Sequence, residues 1–200
     1  MKTQFALALL LAVAPLAASA GELSYTYVEA GIAQVDVDID EFASSVDFDG
    51  FQLRGSVAVS DAFYLFGGHG STNNDDAGLD IDFSESQFGV GYHFGLSERA
   101  DLLAELGAVR QEIDFDGIGS VEADGGRASV GVRALLSDNF EGWVKASYSD
   151  GGDFDGGFSG LVGAQWKFNP TWGLIGEIES GELDEQADLT KYLVGVRASF

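Results

Sequence analysis

Tyr192-Leu193-Val194-Gly195-Val196-Arg197-Ala198-Ser199-Phe200 ends the chain and decides its fold. Even positions are apolar: Tyr192, Val194, Val196, Ala198 and Phe200. Odd positions carry Gly195, Arg197 and Ser199, with Leu193 as the exception. Alternation with a period of two is the signature of a β-strand with two unlike faces. A last strand of a soluble sheet would give the same period. It would not account for an arginine in mid-strand, or for the recurrence of the pattern along the chain.

Working back from that stretch, about ten segments share the pattern. The first runs from Leu23 to Val35, with Val28, Ala30 and Ile32 on one face and Glu29 and Gly31 on the other. Phe51, Leu53, Val57 and Val59 oppose Gln52, Arg54 and Ser56. Residues 63–71 are ambiguous, because Phe63/Leu65 and Tyr64/Phe66 are equally apolar. Phe88, Val90, Tyr92 and Phe94 oppose Glu85, Gln87 and His93. Further along, Leu102 to Ala108 oppose Glu105, Ala128 to Ala134 oppose Arg127 and Arg133, and Val144 to Tyr148 oppose Lys145. Phe158 to Phe168 then oppose Lys167, and Trp172 to Ile178 oppose Glu177 and Glu179.

Short connections are expected near residues 60–62, 96–100, 137–140 and 169–170. Longer ones are expected at 36–50, 72–82, 114–124, 150–155 and 181–188. After residue 20 no apolar run is long enough for a transmembrane helix. A spanning structure must therefore be a closed barrel, since backbone groups find no water in hydrocarbon. The expected fold is all-β: a transmembrane, antiparallel, up-and-down barrel of about ten strands, with eight as the alternative.

The phase of the alternation sets which face is inside. A soluble barrel would bury the apolar face, and a membrane barrel turns it to lipid. Tyr92, Phe94, Trp166, Phe168, Trp172 and Phe200 cluster toward the short turns on the apolar face. That arrangement fits an interfacial aromatic girdle and selects the membrane phase. Glu29, Arg54, Glu85, Glu105, Arg127, Arg133, Lys145, Lys167, Glu177, Lys191 and Arg197 then face the lumen. In a narrow barrel they pair and fill it. The alternative is a selective pore lined by basic groups.

Residues 1–20 read as a secretory signal peptide: Lys2, an apolar run from Phe5 to Val13, and Ala18-Ser19-Ala20 as a cleavage site. The barrel is expected to occupy residues 21–200. Lys2 would leave with the signal, so 9 of the 10 basic and all 33 acidic residues remain, a formal net charge of −24. That balance argues against nucleic acid as a partner. Cysteine is absent, which excludes disulfides and thiol chemistry. With 46% hydrophobic residues the chain is not a disordered acidic protein. No cofactor is implied.

The expected long connections hold most of the acid and neither Lys nor Arg. They contain Asp36, Asp38, Asp40, Glu41, Asp47 and Asp49; Asp75, Asp76, Asp80 and Asp82; and Asp114, Asp116, Glu122 and Asp124. Asp150, Asp153 and Asp155 follow, then Glu182, Asp184, Glu185 and Asp188. Asp-Phe-Asp-Gly begins at Asp47, Asp114 and Asp153. Carboxylates in oxygen-rich clusters suit divalent cations, but no segment has the twelve-residue EF-hand pattern. Solvation of the outer rim is the simpler reading, and divalent bridging to lipopolysaccharide the sharper one.

The strands, tight turns and final Val196-Arg197-Ala198-Ser199-Phe200 resemble small outer-membrane barrels of the OmpA/OmpX-like class. Ser24-Tyr25-Thr26-Tyr27-Val28-Glu29, Phe66-Gly67-Gly68 and Gly163-Ala164-Gln165-Trp166-Lys167-Phe168-Asn169 resemble a xanthomonad-type small barrel family. These resemblances imply fold and an outer-membrane location, and carry no established activity. The terminal strand, with Tyr192, Val194, Val196, Ala198 and Phe200, resembles the signal read by the barrel assembly machinery. His69-Gly70-Ser71, with Glu85 nearby, resembles the His-x-Ser element of outer-membrane lipid A deacylases. Ten strands are shared with the omptin proteases, but this chain has only His69 and His93. The expectation is a structural or surface-interaction barrel, not an enzyme. A narrow porin is the alternative, and a lipid-modifying enzyme the remote one.

Deleting Phe200 is expected to impair assembly. Outer-membrane levels of the truncated and intact chains, compared at matched expression, check this. Equal yields of folded protein would remove the role assigned to the terminal residue.

Overall fold

The computed structural model describes residues 23–39, 44–74, 81–115, 117, 119–184 and 187–200. Ten strands follow one another: β1 (Tyr27–Ile39), β2 (Ser44–Ala58), β3 (Phe63–Asn74), β4 (Ile81–Ser97) and β5 (Ala100–Phe115), then β6 (Gly119–Leu135), β7 (Phe140–Gly151), β8 (Phe154–Lys167), β9 (Trp172–Asp184) and β10 (Ala187–Ser199). No helix occurs among the described residues. Each strand pairs antiparallel with its neighbours in sequence. β1 also pairs with β10 from Tyr27↔Ser199 to Ile39↔Ala187, which closes the barrel. The count is ten, and the eight-stranded alternative falls.

The apolar belt faces outward. Its aromatic residues near the turns, Tyr92, Phe94, Trp166, Phe168 and Trp172, are exposed on the outside of the barrel. Burial settles the ambiguous third strand: Phe63 and Leu65 are exposed, whereas Tyr64 is buried in the lumen. On β4 the belt runs from Phe88 to Leu96. Nine residues at the strand rise and a tilt near 40° span about 20–25 Å, the height of an outer-membrane hydrocarbon band.

At the belt's lower end the turns are tight. Val59 N donates to Phe63 O at 2.9 Å, and Leu136 N to Phe140 O at 2.8 Å. Asn169 Oδ1 accepts from Thr171 N and Trp172 N at 3.0 and 2.8 Å. At the other end, Gly151 and Gly152 take φ of 83° and 66° in the β7–β8 turn, a backbone region that favours glycine. Gly91 serves a different need: any side chain there would enter the ring of Tyr64.

Two expectations are corrected. The first strand starts at Tyr27 and ends at Ile39, not Leu23 to Val35. Four of the five expected long connections are mostly strand, and the described residues of the other, 72–74 and 81–82, are strand too. Residues 44–50, 72–74, 81–82, 114–115, 119–124 and 181–184 lie in β-ladders. The physical reason is the spacing of the acid itself. Asp47 and Asp49 flank Phe48, and Asp82 and Ser84 flank Phe83, which is a strand period with a wet face. Glycine and aspartate suggested turns, but their period was that of a sheet.

This extension inverts the barrel's polarity. On β4 the outward residues change from Phe88 upward to Ser86, Ser84 and Asp82. The inward ones change from His93, Gln87 and Glu85 to Phe83 and Ile81. On β5, Arg110, Glu112 and Asp114 follow Leu106 and Ala108 outside, while Ile113 and Phe115 follow Glu105 and Gln111 inside. On β2, Asp47 and Asp49 lie outside above Phe51, with Phe48 inside above Arg54 and Gln52. Below the inversion the barrel is built for lipid, and above it for water.

Candidate functional site

The lumen at membrane depth is the densest polar site in the described structure. Alternation on ten strands aims its charges inward, and closure brings together groups far apart in sequence. Glu29 on β1 receives Arg197 Nε of β10 at 2.6 Å and also pairs with Arg54 of β2. Arg54 reaches Glu177 on β9, whose other oxygen accepts from Trp143 Nε1 at 2.8 Å. Glu85 on β4 lies 3.3 Å from Arg127 and 3.6 Å from Lys191 of β10, and Gln111 donates to it at 3.0 Å. Glu105 pairs with Lys145 at 3.1 Å and accepts from the Tyr64 hydroxyl at 2.7 Å. Lys167 lies 3.4 Å from Glu141. Arg133 also pairs with Glu141, so all eleven lumen residues named from the sequence stand in ion pairs.

Glu141 is absent from that set. It is fully buried and lies 2.5 Å from Arg133, 3.4 Å from Lys167 and 3.7 Å from Arg197. Assigning residues 137–140 to a turn and starting the next strand at Val144 left it uncounted. Its parity with Trp143 and Lys145 was the available signal. Asp101 was missed in the same way at the foot of β5. It accepts from the Tyr25 hydroxyl at 2.7 Å and faces His93 at 3.4 Å. Including these two and Glu179, seven acidic groups oppose seven basic ones in the lumen.

Aromatic faces cover the cations. Arg197 lies 4.2 Å from the Tyr27 ring and 4.7 Å from that of Trp143, within cation–π range. At the lower mouth the segment before β1 turns inward. Tyr25 is buried, stacks on His93 at 3.9 Å and on Tyr64 at 4.9 Å, and lies under Arg133 at 5.0 Å. Ser24 O accepts from Arg133 at 2.9 Å, and Ser24 Oγ donates to Phe200 O at 2.8 Å. Between the charged tiers is a cavity of about 70 Å³, lined by Arg54, Glu85, Glu105, Arg127, Lys145 and Glu177 among others. It has room for a few water molecules.

The expected nearness of Glu85 to His69 and Ser71 is corrected. His69 is exposed on the outer face, where its Nδ1 lies 2.9 Å from Ser86 Oγ. Ser71, two residues on, shares that face, while Glu85 is buried among lumen cations. The sheet separates them, because odd positions of β3 point outward and odd positions of β4 point inward.

Above the belt the outer wall is acidic. The cross-strand register sets Asp36 opposite Asp47, Asp82 opposite Asp114, and Glu112 opposite Glu122. Arg110 is the basic residue of this wall, with Nε 2.7 Å from Asp124 and Nη1 3.8 Å from Glu122. Its hydrogen bond holds the Asp124 carboxyl below its ordinary pKa range. No group of three or more metal-ligating side chains occurs among the described residues. Asp40, Glu41, Asp75, Asp76, Asp80, Asp116 and Glu185 lie outside them, as does the expected signal peptide.

Glu141→Ala is expected to cost roughly 3–5 kcal/mol, because it strands Arg133 and Lys167 without a counter-charge, while Arg197 keeps Glu29. Denaturant unfolding of the refolded barrel, followed by electrophoretic mobility, measures this. Asp138→Ala, which breaks the solvated pair with Arg99 at a turn, serves as the comparison and should leave the midpoint unchanged.

Comparison with known proteins agrees with this architecture. Among solved structures, the translocator domain of autotransporter NalP from Neisseria meningitidis is similar at a TM-score of 0.53 and 12% identity, covering 90% of each chain. Ail of Yersinia pestis, solved with the heparin analogue sucrose octasulfate, gives a TM-score of 0.48 and 17% identity over 88% of this chain and 97% of its own. Neisserial surface protein A gives 0.49 and 14% over 88% and 98%. No curated protein matches the sequence. The model of the outer membrane protein beta-barrel domain matches residues 5–200. A closed ten-stranded barrel with an apolar outer belt, matched over nearly its whole length by that family's model, belongs to the outer-membrane β-barrel proteins.

Proposed function

We propose that this chain is an outer-membrane barrel with a closed lumen, serving a structural or surface-interaction role and carrying out no catalysis. The observation that carries the reading is the set of ion pairs that cross the barrel. Lys191 on β10 meets Glu85 on β4, and Arg54 on β2 meets Glu177 on β9. A hydrated ion entering the lumen would have to separate such pairs, and each broken pair leaves a desolvated charge. Tyr25 adds a second barrier at the lower mouth. The outward His69 and Ser71, apart from Glu85, support the non-enzymatic reading. Export through a signal peptide cleaved near Gly21, and insertion by the assembly machinery reading the last strand, complete the proposal.

Planar-bilayer recording of the refolded chain in sided salt gradients tests it. No steady conductance above the lipid background is expected. Discrete, ion-selective steps would overturn the closed lumen and establish a narrow porin.

A second reading concerns the outer wall. Like charges directly opposite in a ladder destabilise it. Three such pairs stand above the apolar belt, on β1–β2, β4–β5 and β5–β6. Calcium or magnesium shared between each pair and lipopolysaccharide phosphates would remove that repulsion, with the phosphates supplying oxygens that a pair alone lacks. Calorimetric titration is expected to show weak divalent binding in detergent and stronger binding in lipopolysaccharide-containing membranes. A single tight site in detergent, or no binding in either environment, would remove the bridging role.

A further inference from the structure

We infer that the outer end of the barrel is an apolar cup that takes an uncharged hydrophobic small molecule from outside the cell. The inference goes beyond the closed-lumen reading and starts from the polarity inversion. Above the belt, Phe48, Phe83, Ile113, Phe115 and Phe154 are half-buried, and Val121 is 62% exposed. A fully consolidated core would bury them as completely as Val35, lower on β1, which is 1% exposed. Phe83 stands opposite Ile113 across β4–β5, and Ile113 opposite Val121 across β5–β6, so these three side chains form a continuous apolar wall, beside which β3 turns Thr72 and Asn74 inward. Below that wall lies the charged tier of Glu85, Arg127, Lys191 and Gln111. Among the described residues the cup is therefore closed beneath, and its lining side chains stay partly exposed above that tier, as in ligand sites at barrel mouths.

Two features fix the ligand class. Phe, Ile and Val side chains offer no hydrogen-bond partner, the β4 and β5 backbone behind them is engaged in ladders on both sides, and the inward Thr72 Oγ1 and Asn74 Nδ2 already donate to Phe83 O and Asp47 O. A polar solute would lose its hydration there without compensation. Around the outside stand Asp47, Asp49, Asp82 and Asp114. Their field reaches the mouth within a Debye length of about 8 Å at physiological salt and repels anions. Fatty acids and anionic amphiphiles are disfavoured on both counts. An uncharged aryl or alkyl compound is favoured.

The test uses two dyes with one skeleton: uncharged N-phenyl-1-naphthylamine and its anionic counterpart 1-anilinonaphthalene-8-sulfonate. The full chain is refolded into lipid nanodiscs, with empty nanodiscs as the blank. The uncharged dye should show a saturable fluorescence increase above the blank, at one dye per barrel. Phe83→Ser/Ile113→Ser should weaken it at least about tenfold, and Val162→Ser on the lipid face should leave it unchanged. The sulfonate should bind more weakly than the uncharged dye and gain on Asp82→Asn/Asp114→Asn. A signal equal to the blank, equal affinity for both dyes, or full binding by the Phe83/Ile113 variant would overturn the inference. Should that variant fail to fold by electrophoretic mobility, Val121→Asp at the exposed upper wall gives the same decision. Loss of binding supports the cup, and retained binding overturns it. Conductance is read separately, so failure of this inference leaves the closed-lumen reading standing or falling by its own recording.

Discussion

The pairing of the first strand with the last is the constraint on which the rest depends. In hydrocarbon an unpaired N–H or C=O has no water to turn to, so an open sheet edge cannot persist there. β1 and β10 remove that edge along thirteen residue pairs from Tyr27↔Ser199 to Ile39↔Ala187. Closure then fixes everything else by geometry. With every strand tied on both sides, each side chain points either to lipid or into one narrow interior. Arg197 and Glu29, 168 positions apart in sequence, become neighbours because their strands are.

An interior so narrow cannot hold unpaired charge. Its seven acidic and seven basic groups are mutually necessary: each is tolerable only because its partners are held in place by other strands. Glu141 shows the logic most sharply, since three cations from β6, β8 and β10 converge on one buried carboxylate. Such a network favours one register over its alternatives. A one-residue slip of any strand would put its charges in lipid and its aromatics in the lumen.

Most of this was legible in the sequence because period-two alternation and net lumen charge are local properties. The number of strands, their phase and eleven lumen residues follow from them. The missed groups sat at boundaries. Glu141 and Asp101 are the second residues of their strands, and a reading that assigns turns by composition discards such positions. The larger error, five long loops, had a single cause. Asp and Gly were read for their turn preference, when Asp-Phe-Asp at Asp47 and Ile-Asp-Phe at Ile81 carried a strand period. Which lumen groups pair with one another was not legible, because that depends on shear and tilt, which alternation does not encode.

The same stretches recorded the inversion. Apolar residues occupy even positions from Phe94 back to Phe88 and odd ones at Phe83 and Ile81; they occupy odd positions from Val57 to Phe51 and an even one at Phe48. No bulge separates these pairs, since the β4–β5 register is continuous from Ile81 to Gly95 and the β1–β2 register is unbroken. The parity change therefore reflects a change of solvent and not of backbone. Where it occurs fixes how deep the barrel sits. Moving the chain outward would bring Phe51 and Phe88 into water, and moving it inward would bring Asp49 and Ser86 into hydrocarbon. The inversion thus supplies a vertical anchor on the outer side, as the aromatic residues near the turns do on the other. Because the polar face is outside above that level, the apolar face must be inside. Continuing a membrane barrel into water without breaking its strands thus turns apolar residues of β2, β4 and β5 into the outer mouth, beside Thr72 and Asn74 of β3.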